Sequence, residues 1–358
     1  MQTPLWAPSE EQIRDANMTA FAAALHRDWD VEVSSYGDLW RWSIQHMDRF
    51  WLSFKDWAEI LGESWDGPVL EAQSRLPGVS WFPNSRLNFA ENLLRYRSQE
   101  DAIVFWGEDQ VQRRLSFDEL HSRVSILAQA MRQQGLQPGD RVAAFMPNMP
   151  ETIIAMLAAS SIGAIFTSCS PDFGVRGVLD RFGQVEPRLL ISAEGYVYGG
   201  RSHSSLEKLK TIVEGLPSVE RVVVVPYLNT EPDLSAIRGA QMLADFTAGF
   251  EARAIEYERL PFAHPLYIMY SSGTTGEPKC IVHSAGGTLI QHLKEHKLHC
   301  DIREGDRIFY FTTCGWMMWN WLVSGLACGA CVLLYDGNPF RRDGHILFDY
   351  ADAEGMTL

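Results

Sequence analysis

Cysteine is scarce in this sequence: 6 in 358 residues, irregularly spaced, too few and too scattered for the disulfide framework of a small secreted domain. No stretch near the start combines a charged region, an apolar run and a cleavage site, so a reducing, cytoplasmic setting is expected. The most apolar segment, residues 153–166, is interrupted by Ser160, Ser161 and Gly163. It falls short of the roughly 20 residues that a membrane span needs, which predicts no transmembrane helix and no membrane partner. Positive charge is also scarce. Against 45 Asp and Glu stand 31 Lys and Arg, a formal net charge of -14, the wrong sign for nucleic acid or an anionic bilayer. Any phosphate the chain holds must therefore be held by local geometry. Two phosphate motifs are missing as well. Without G-x-x-x-x-G-K-[ST] there is no Walker loop of the kinase and ATPase type, and without G-x-G-x-x-G after a strand a dinucleotide fold has no support. Internal repeats and low-complexity tracts are absent.

What is present suffices for a large core: 46% of the residues are hydrophobic, which predicts one big domain or two smaller ones. Eight of the 12 tryptophans fall in the first 81 residues. There Trp40, Ile44, Met47, Trp51 and Phe54 recur at spacings of four, three, four and three, the stripe of one amphipathic helix with its N-cap at Gly37-Asp38. Two readings of it stand, a helix packed on the main body and an aromatic ligand cage. After Gly78 short apolar segments alternate with helical ones, the pattern of βαβ units. Strands are predicted at 102–106, 141–146, 165–168, 189–192, 222–225, 267–270, 308–312 and 332–335. Ser116-Phe117-Asp118-Glu119 is a capping box opening a helix to about residue 134, closed by Gly135, and Pro150 starts the next helix. Residues 229–261 read as a loop-rich connection. The fold class is α/β: a layered, mostly parallel sheet with helices on both faces. Residues 1–79 form an aromatic-rich helical N-terminal extension and residues 80–358 a partial domain. Residues 346–354 read as a helix ended by Gly355, and Met356-Thr357-Leu358 as the first residues of a strand, so a chain cut inside a domain is expected.

The segment that carries chemistry is Tyr270-Ser271-Ser272-Gly273-Thr274-Thr275-Gly276-Glu277-Pro278-Lys279. It follows a short apolar strand and holds small residues, four of them hydroxylic. Glycines let backbone N–H groups approach and face oxyanions, the hydroxyls add neutral donors, Pro278 stiffens the exit, and Lys279 supplies a point charge. Ser271, Ser272, Gly273, Thr274, Thr275, Gly276 and Lys279 are thus the candidate ATP ligands, with Thr275 and Lys279 closest to catalysis.

This segment resembles the signature of the adenylate-forming, or AMP-binding, superfamily, which includes acyl-CoA synthetases, luciferases and peptide-synthetase adenylation domains. Ile281-Val282-His283-Ser284-Ala285-Gly286-Gly287 and Gly315-Trp316 narrow the likeness to the short-chain acyl-CoA synthetases. The tryptophan-rich front, the run from Trp81 to Asn92 and the run from Thr313 to Trp321 look most like the acetoacetyl-CoA synthetase group. The resemblance covers nearly the whole chain. It departs at Glu277, where the family often has lysine, which predicts slightly weaker affinity for the triphosphate. The resemblance implies attack of a carboxylate on the α-phosphate of Mg2+-ATP, giving an acyl-adenylate and pyrophosphate, then attack by coenzyme A. The cofactors implied are ATP, Mg2+ and coenzyme A, and the partners are these small molecules and a short acid, acetoacetate first, with acetate or propionate as the alternative.

The resemblance also implies that Trp316, Met317, Met318 and Trp319 line the acyl pocket; indole and thioether groups make an apolar, adaptable wall. Core packing of the tryptophans is the other reading. For coenzyme A it implies the turn Pro171-Asp172-Phe173-Gly174, with Phe173 and Gly174 as contacts, and Arg201 in Gly200-Arg201-Ser202. A planar guanidinium fork suits phosphate. The family's paired glycines are replaced here by Pro171 and Asp172. No metal site is expected: His292-Leu293-Lys294-Glu295-His296 fits H-x-x-E-H but reads as a solvated polar helix face, and Cys328-Gly329-Ala330-Cys331 as small buried residues in a tight turn. The family's adenine motif, ribose aspartate, hinge and C-terminal domain with its lysine are not among these residues. A fragment that binds nucleotide without catalysis is therefore the further alternative.

Overall fold

In the computed structural model, residues 5–71, 78–108, 111–272 and 276–358 are described. Two sheets carry the chain. The strands run β1 Asp101–Gly107, β2 Gln112–Ser116, β3 Arg141–Phe145, β4 Ile165–Cys169, β5 Leu189–Ala193, β6 Gly195–Tyr198 and β7 Arg201–Ser204. They continue with β8 Arg221–Val225, β9 Ala240–Met242, β10 Pro265–Tyr270, β11 Cys280–Ser284, β12 Arg307–Phe309 and β13 Cys331–Asp336. The larger sheet is ordered β9-β8-β5-β3-β4-β10-β11 and the smaller β12-β13-β1-β2, while β6 and β7 form a separate hairpin. Within the larger sheet the pairs are parallel except the last, β10 with β11.

Alternation along the strands explains why helices cover both faces. Val142, Ala144, Leu189, Ile191 and Val223 point into one core, together with the helices Phe117–Gln133 and Pro150–Ser161. Ala143, Phe145, Leu190, Val222 and Val224 point into another, under Val175–Val185 and Leu206–Glu214. The smaller sheet sends Ile103, Phe105, Val332 and Leu334 into the first core, so that core lies between the sheets. Pro150–Ser161 crosses it and is buried almost all round, as its uniformly apolar sequence requires. The capping box at Ser116 and Glu119 is closed in both directions, Gly135 takes a left-handed φ of 78° and Gly355 one of 60°.

The tryptophan-rich front departs from expectation. Instead of one helix there are two, Tyr36–Gln45 and Met47–Trp57, broken at His46 with φ -129° and ψ 56°. The N-cap is Ser35, whose hydroxyl accepts from the Asp38 N–H, two residues before the expected position. The break resets the phase of the helix. Leu39, Trp42, Phe50 and Phe54 face the core, whereas Trp40, Ile44 and Met47 lie exposed. Apolar residues occupy both faces of this stretch, so spacing alone selects no face.

β12 ends at Phe309 rather than residue 312, and beside it the Thr357 N–H donates to the Arg307 carbonyl and the Phe309 N–H to the Leu358 carbonyl. Among the described residues no helix is long and apolar enough to cross a membrane.

Candidate nucleotide and acyl site

β10 runs parallel to β4, so the residues after Tyr270 leave at the carboxyl edge of the sheet, where open α/β sheets bind ligands. Gly273, Thr274 and Thr275 lie outside the described residues. The mouth of the loop is tied. The Ser271 N–H donates to the Lys279 carbonyl at 3.0 Å, and the Lys279 N–H donates to Ser271 Oγ at 2.9 Å. Pro278 is buried, and its carbonyl accepts from Gln184 Nε2 at 2.7 Å. Gly276 has a φ of 149°, which side chains disfavour. Ser272, Gly276 and Lys279 are exposed, and Lys279 forms no ion pair among the described residues.

The second segment, residues 314–320, packs on the loop's own strand. Ser168 Oγ donates to the Cys314 carbonyl at 2.6 Å and Cys314 Sγ to the Met146 carbonyl at 2.9 Å. Cys314, Gly315 and Asn320 line a crevice of about 10 Å3 with Thr167, Ser168, Met269 and Tyr270, room for roughly one water. The four expected wall residues separate. Trp316 is 56% exposed and Met317 is exposed beside it, Met318 packs at the edge of the core, and Trp319 is 0% exposed. The Trp319 Nε1–H donates to Asn148 Oδ1 at 2.9 Å, and its ring stacks near Phe166, centroids 6.4 Å apart and planes inclined by 24°. Trp319 shapes the segment from below.

Arg181, which nothing in the local sequence marks, joins the pieces. Its guanidinium lies 4.6 Å from the Phe173 ring and 5.8 Å from the Tyr270 ring, and Tyr270 Oη is hydrogen-bonded to Thr167 Oγ1 at 2.8 Å. Burial pushes the Tyr270 phenol well above its usual range. A Cβ on Gly315 would sit 3.4 Å from Phe173, so the Phe173 turn touches the 314–320 segment. The same turn is pinned by Lys208, whose Nζ donates to the Pro171 carbonyl at 3.1 Å, and Gly174 caps the helix Val175–Val185. Arg201 stands apart, exposed at the start of β7 in the hairpin.

The AMP-binding enzyme family matches residues 89–358 of the chain. The chain belongs to the AMP-binding enzyme family. The acetoacetyl-coenzyme A synthetase of Rhizobium meliloti (strain 1021) is 51% identical over 100% of this chain and 55% of its own length. The acetoacetyl-CoA synthetase of Gallus gallus is 45% identical over 99% of this chain and 54% of its own length. A solved acetoacetyl-CoA synthetase from Streptomyces lividans superposes with a TM-score of 0.94 at 40% identity, over 99% of this chain and 55% of that one. The chain thus spans about half the length of the curated relatives it matches.

In this AMP-binding enzyme the helix Ala285–Lys294, after β11, passes into a π-helical turn, Glu295–His299. The expectation of a solvated histidine face there is wrong. His292 and His296 are buried, His292 Nδ1 lying 2.8 Å from Ser324 Oγ and His296 Nε2 2.8 Å from the Trp321 carbonyl. The polar helix is covered by the segment after 316, so charge along its sequence misreports its exposure. Burial pushes His292 down to about 3 and His296 to about 4, which keeps both neutral. Cys328 and Cys331 are buried around the left-handed turn at Gly329, φ 74°.

Proposed function

We propose that these residues are the phosphate-gripping and acid-holding part of an acetoacetate–CoA ligase, a cytoplasmic acid–thiol ligase that forms an acyl-adenylate from ATP and then a thioester with coenzyme A. The observation that carries the reading is the packing of Cys314, Gly315 and Asn320 on β10, the strand that leads into the tied loop. A carboxylate held at the exposed side of that segment, beside Trp316 and Met317, would meet the α-phosphate of a triphosphate cradled by Ser271, Ser272, Gly273, Thr274, Thr275 and Gly276, with Lys279 facing the charge. Thr275 and Lys279 carry the catalytic part. Preorganised N–H and hydroxyl donors stabilise the charge that moves onto pyrophosphate. Among the described residues no group of three His, Cys, Asp or Glu side chains is placed to hold a metal. We assign Mg2+ to the triphosphate oxygens, where it would neutralise charge.

Trp316, Met317 and Met318 give the acid an apolar wall with Trp319 behind it, and Phe173, Gly174 and Arg201 receive coenzyme A. Residues 1–79 are the N-terminal extension and 80–358 the AMP-binding part. The likeness to synthetases named for acetoacetate favours that acid over acetate or propionate. The test is ATP–pyrophosphate exchange with acetoacetate and with acetate. Faster exchange with acetate overturns the assignment of the acid, and ATP binding without exchange for either acid supports a nucleotide-binding chain without catalysis.

A further inference from the structure

The helix Ala285–Lys294 leaves β11, the strand that begins directly after Lys279, and one side of it is polar yet buried. From that side and the π-helical turn that follows, His292, Glu295 and His296 reach the helix Met317–Val323 and the residue after it. His292 Nδ1 lies 2.8 Å from Ser324 Oγ, and the Ser324 hydroxyl donates to the Asn320 carbonyl at 3.0 Å. With its one proton given to that carbonyl, Oγ can only accept, so His292 carries a hydrogen on Nδ1 and donates it. His296 Nε2 donates to the Trp321 carbonyl at 2.8 Å, and the Trp321 Nε1–H donates to Glu295 Oε2 at 3.1 Å. His292, His296, Asn320 and Ser324 are all buried.

Stability alone does not require these bonds. Replacing both partners of a buried hydrogen bond by apolar groups of the same shape is nearly neutral, whereas losing one partner is costly. What directional bonds add is a unique arrangement. Three residues behind the phosphate loop hold residues 320, 321 and 324 at one register. The line then continues to the acid side. Asn320 Nδ2 lies 3.5 Å from the Trp316 carbonyl and 3.7 Å from Met269 Sδ. The residue that receives the Ser324 hydroxyl therefore also meets the exposed Trp316 and the strand β10 that enters the loop.

We propose that His292 and Ser324 are positioning residues for the acid. Their hydrogen bond, passed through Asn320 to Trp316, sets the apolar wall at one distance from the phosphate loop and so selects among short carboxylic acids by the length that fits between them. The inference rests on the reading of residues 316–319 as the acid wall. Neither His292 nor Ser324 touches the acid itself.

Titration calorimetry of the 358-residue chain with ATP, and with acetoacetate or acetate beside Mg2+ and α,β-methylene-ATP, tests this without turnover. Ser324→Ala should weaken acetoacetate binding by roughly tenfold, narrow its preference over acetate and leave ATP affinity within about twofold. His292→Asn keeps a donor near the place of Nδ1 and should recover most of the affinity that His292→Phe loses. The double variant His292→Phe with Ser324→Ala separates positioning from packing. It leaves no orphaned polar group, so its urea unfolding midpoint should return close to that of the unaltered chain while acetoacetate stays roughly tenfold weaker. Its folding also keeps the test open if a single variant fails to fold. Affinity that recovers together with stability in the double variant makes the pair structural and overturns the inference. Unchanged acetoacetate binding in Ser324→Ala overturns it too, as does equal weakening of ATP and the acid. A chain that binds ATP but neither acid sinks the reading of the acid wall itself. Acid binding with the same preference in every variant sinks only the positioning role.

Discussion

The loop at residues 271–279 leaves the strand on which the segment at 314–320 packs, and the two are built in opposite ways. The loop is tied at its mouth, with Ser272, Gly276, Glu277 and Lys279 exposed. The segment is fastened from beneath by Ser168, Met146 and Asn148, with a fully buried indole at its centre. A triphosphate grip needs donors free of internal partners, whereas an apolar wall needs its shape held. Side-chain loss should therefore cost ligand affinity in the loop and stability in the segment.

The strongest way to break this contrast is to compare two tryptophans three residues apart. Trp319→Ala removes a buried indole and leaves Asn148 Oδ1 without its donor, an expected loss of about 3–5 kcal/mol in urea unfolding. Trp316→Ala, at an exposed position, should stay within about 0.5 kcal/mol and instead weaken use of the acid. Equal stability losses would place both residues in the core and remove the wall.

The buried histidines behind the segment sharpen the contrast through pH. In the folded chain His292 titrates at about 3 and His296 at about 4, below the value near 6.5 of an unfolded chain. Between those limits the unfolded state binds more protons. Stability is therefore full above about pH 6.5 and falls as the pH drops toward 4, by up to about 1.4 kcal/mol per pH unit for each imidazole. Unfolding midpoints measured from pH 7 to pH 5 should decline steadily, and His296→Phe should roughly halve that slope. A flat profile would mean the imidazoles are solvated.

Lys279 belongs to the other side of the contrast. It is exposed and without an ion pair among the described residues, so Lys279→Ala should leave stability within about 0.5 kcal/mol and weaken ATP binding by roughly tenfold, about 1.4 kcal/mol. Loss of stability without loss of affinity would assign the lysine to the fold.

How much of this was legible in the sequence follows the same division. The strand leading into residues 271–279, the capping box at Ser116 and the glycine stops at Gly135 and Gly355 are local, because short apolar runs, caps and left-handed turns are written in adjacent residues. What spacing could not give depends on distant partners. Arg181 matters because Phe173 and Tyr270 converge on it, and His292 and His296 are buried because the chain after residue 316 covers them. Trp40, Ile44 and Met47 satisfied a helical stripe, yet the break at His46 turned the buried face toward Leu39, Trp42, Phe50 and Phe54.

The smallest effect tests the loop's one departure from its family. Glu277 is exposed, next to Pro278 and two residues from Lys279, and places a negative charge where a lysine is often found. Glu277→Lys reverses that charge without touching the tie between Ser271 and Lys279. An exposed charge of this kind is worth about 0–1 kcal/mol, so ATP should bind up to about fivefold tighter while acetoacetate binding stays unchanged. The gain should shrink as salt is raised from 0.05 to 0.5 M, because screening acts on exposed charges first. A gain that survives high salt would have to come from loop geometry instead, and would count against a loop that works mainly through its exposed donors and charge.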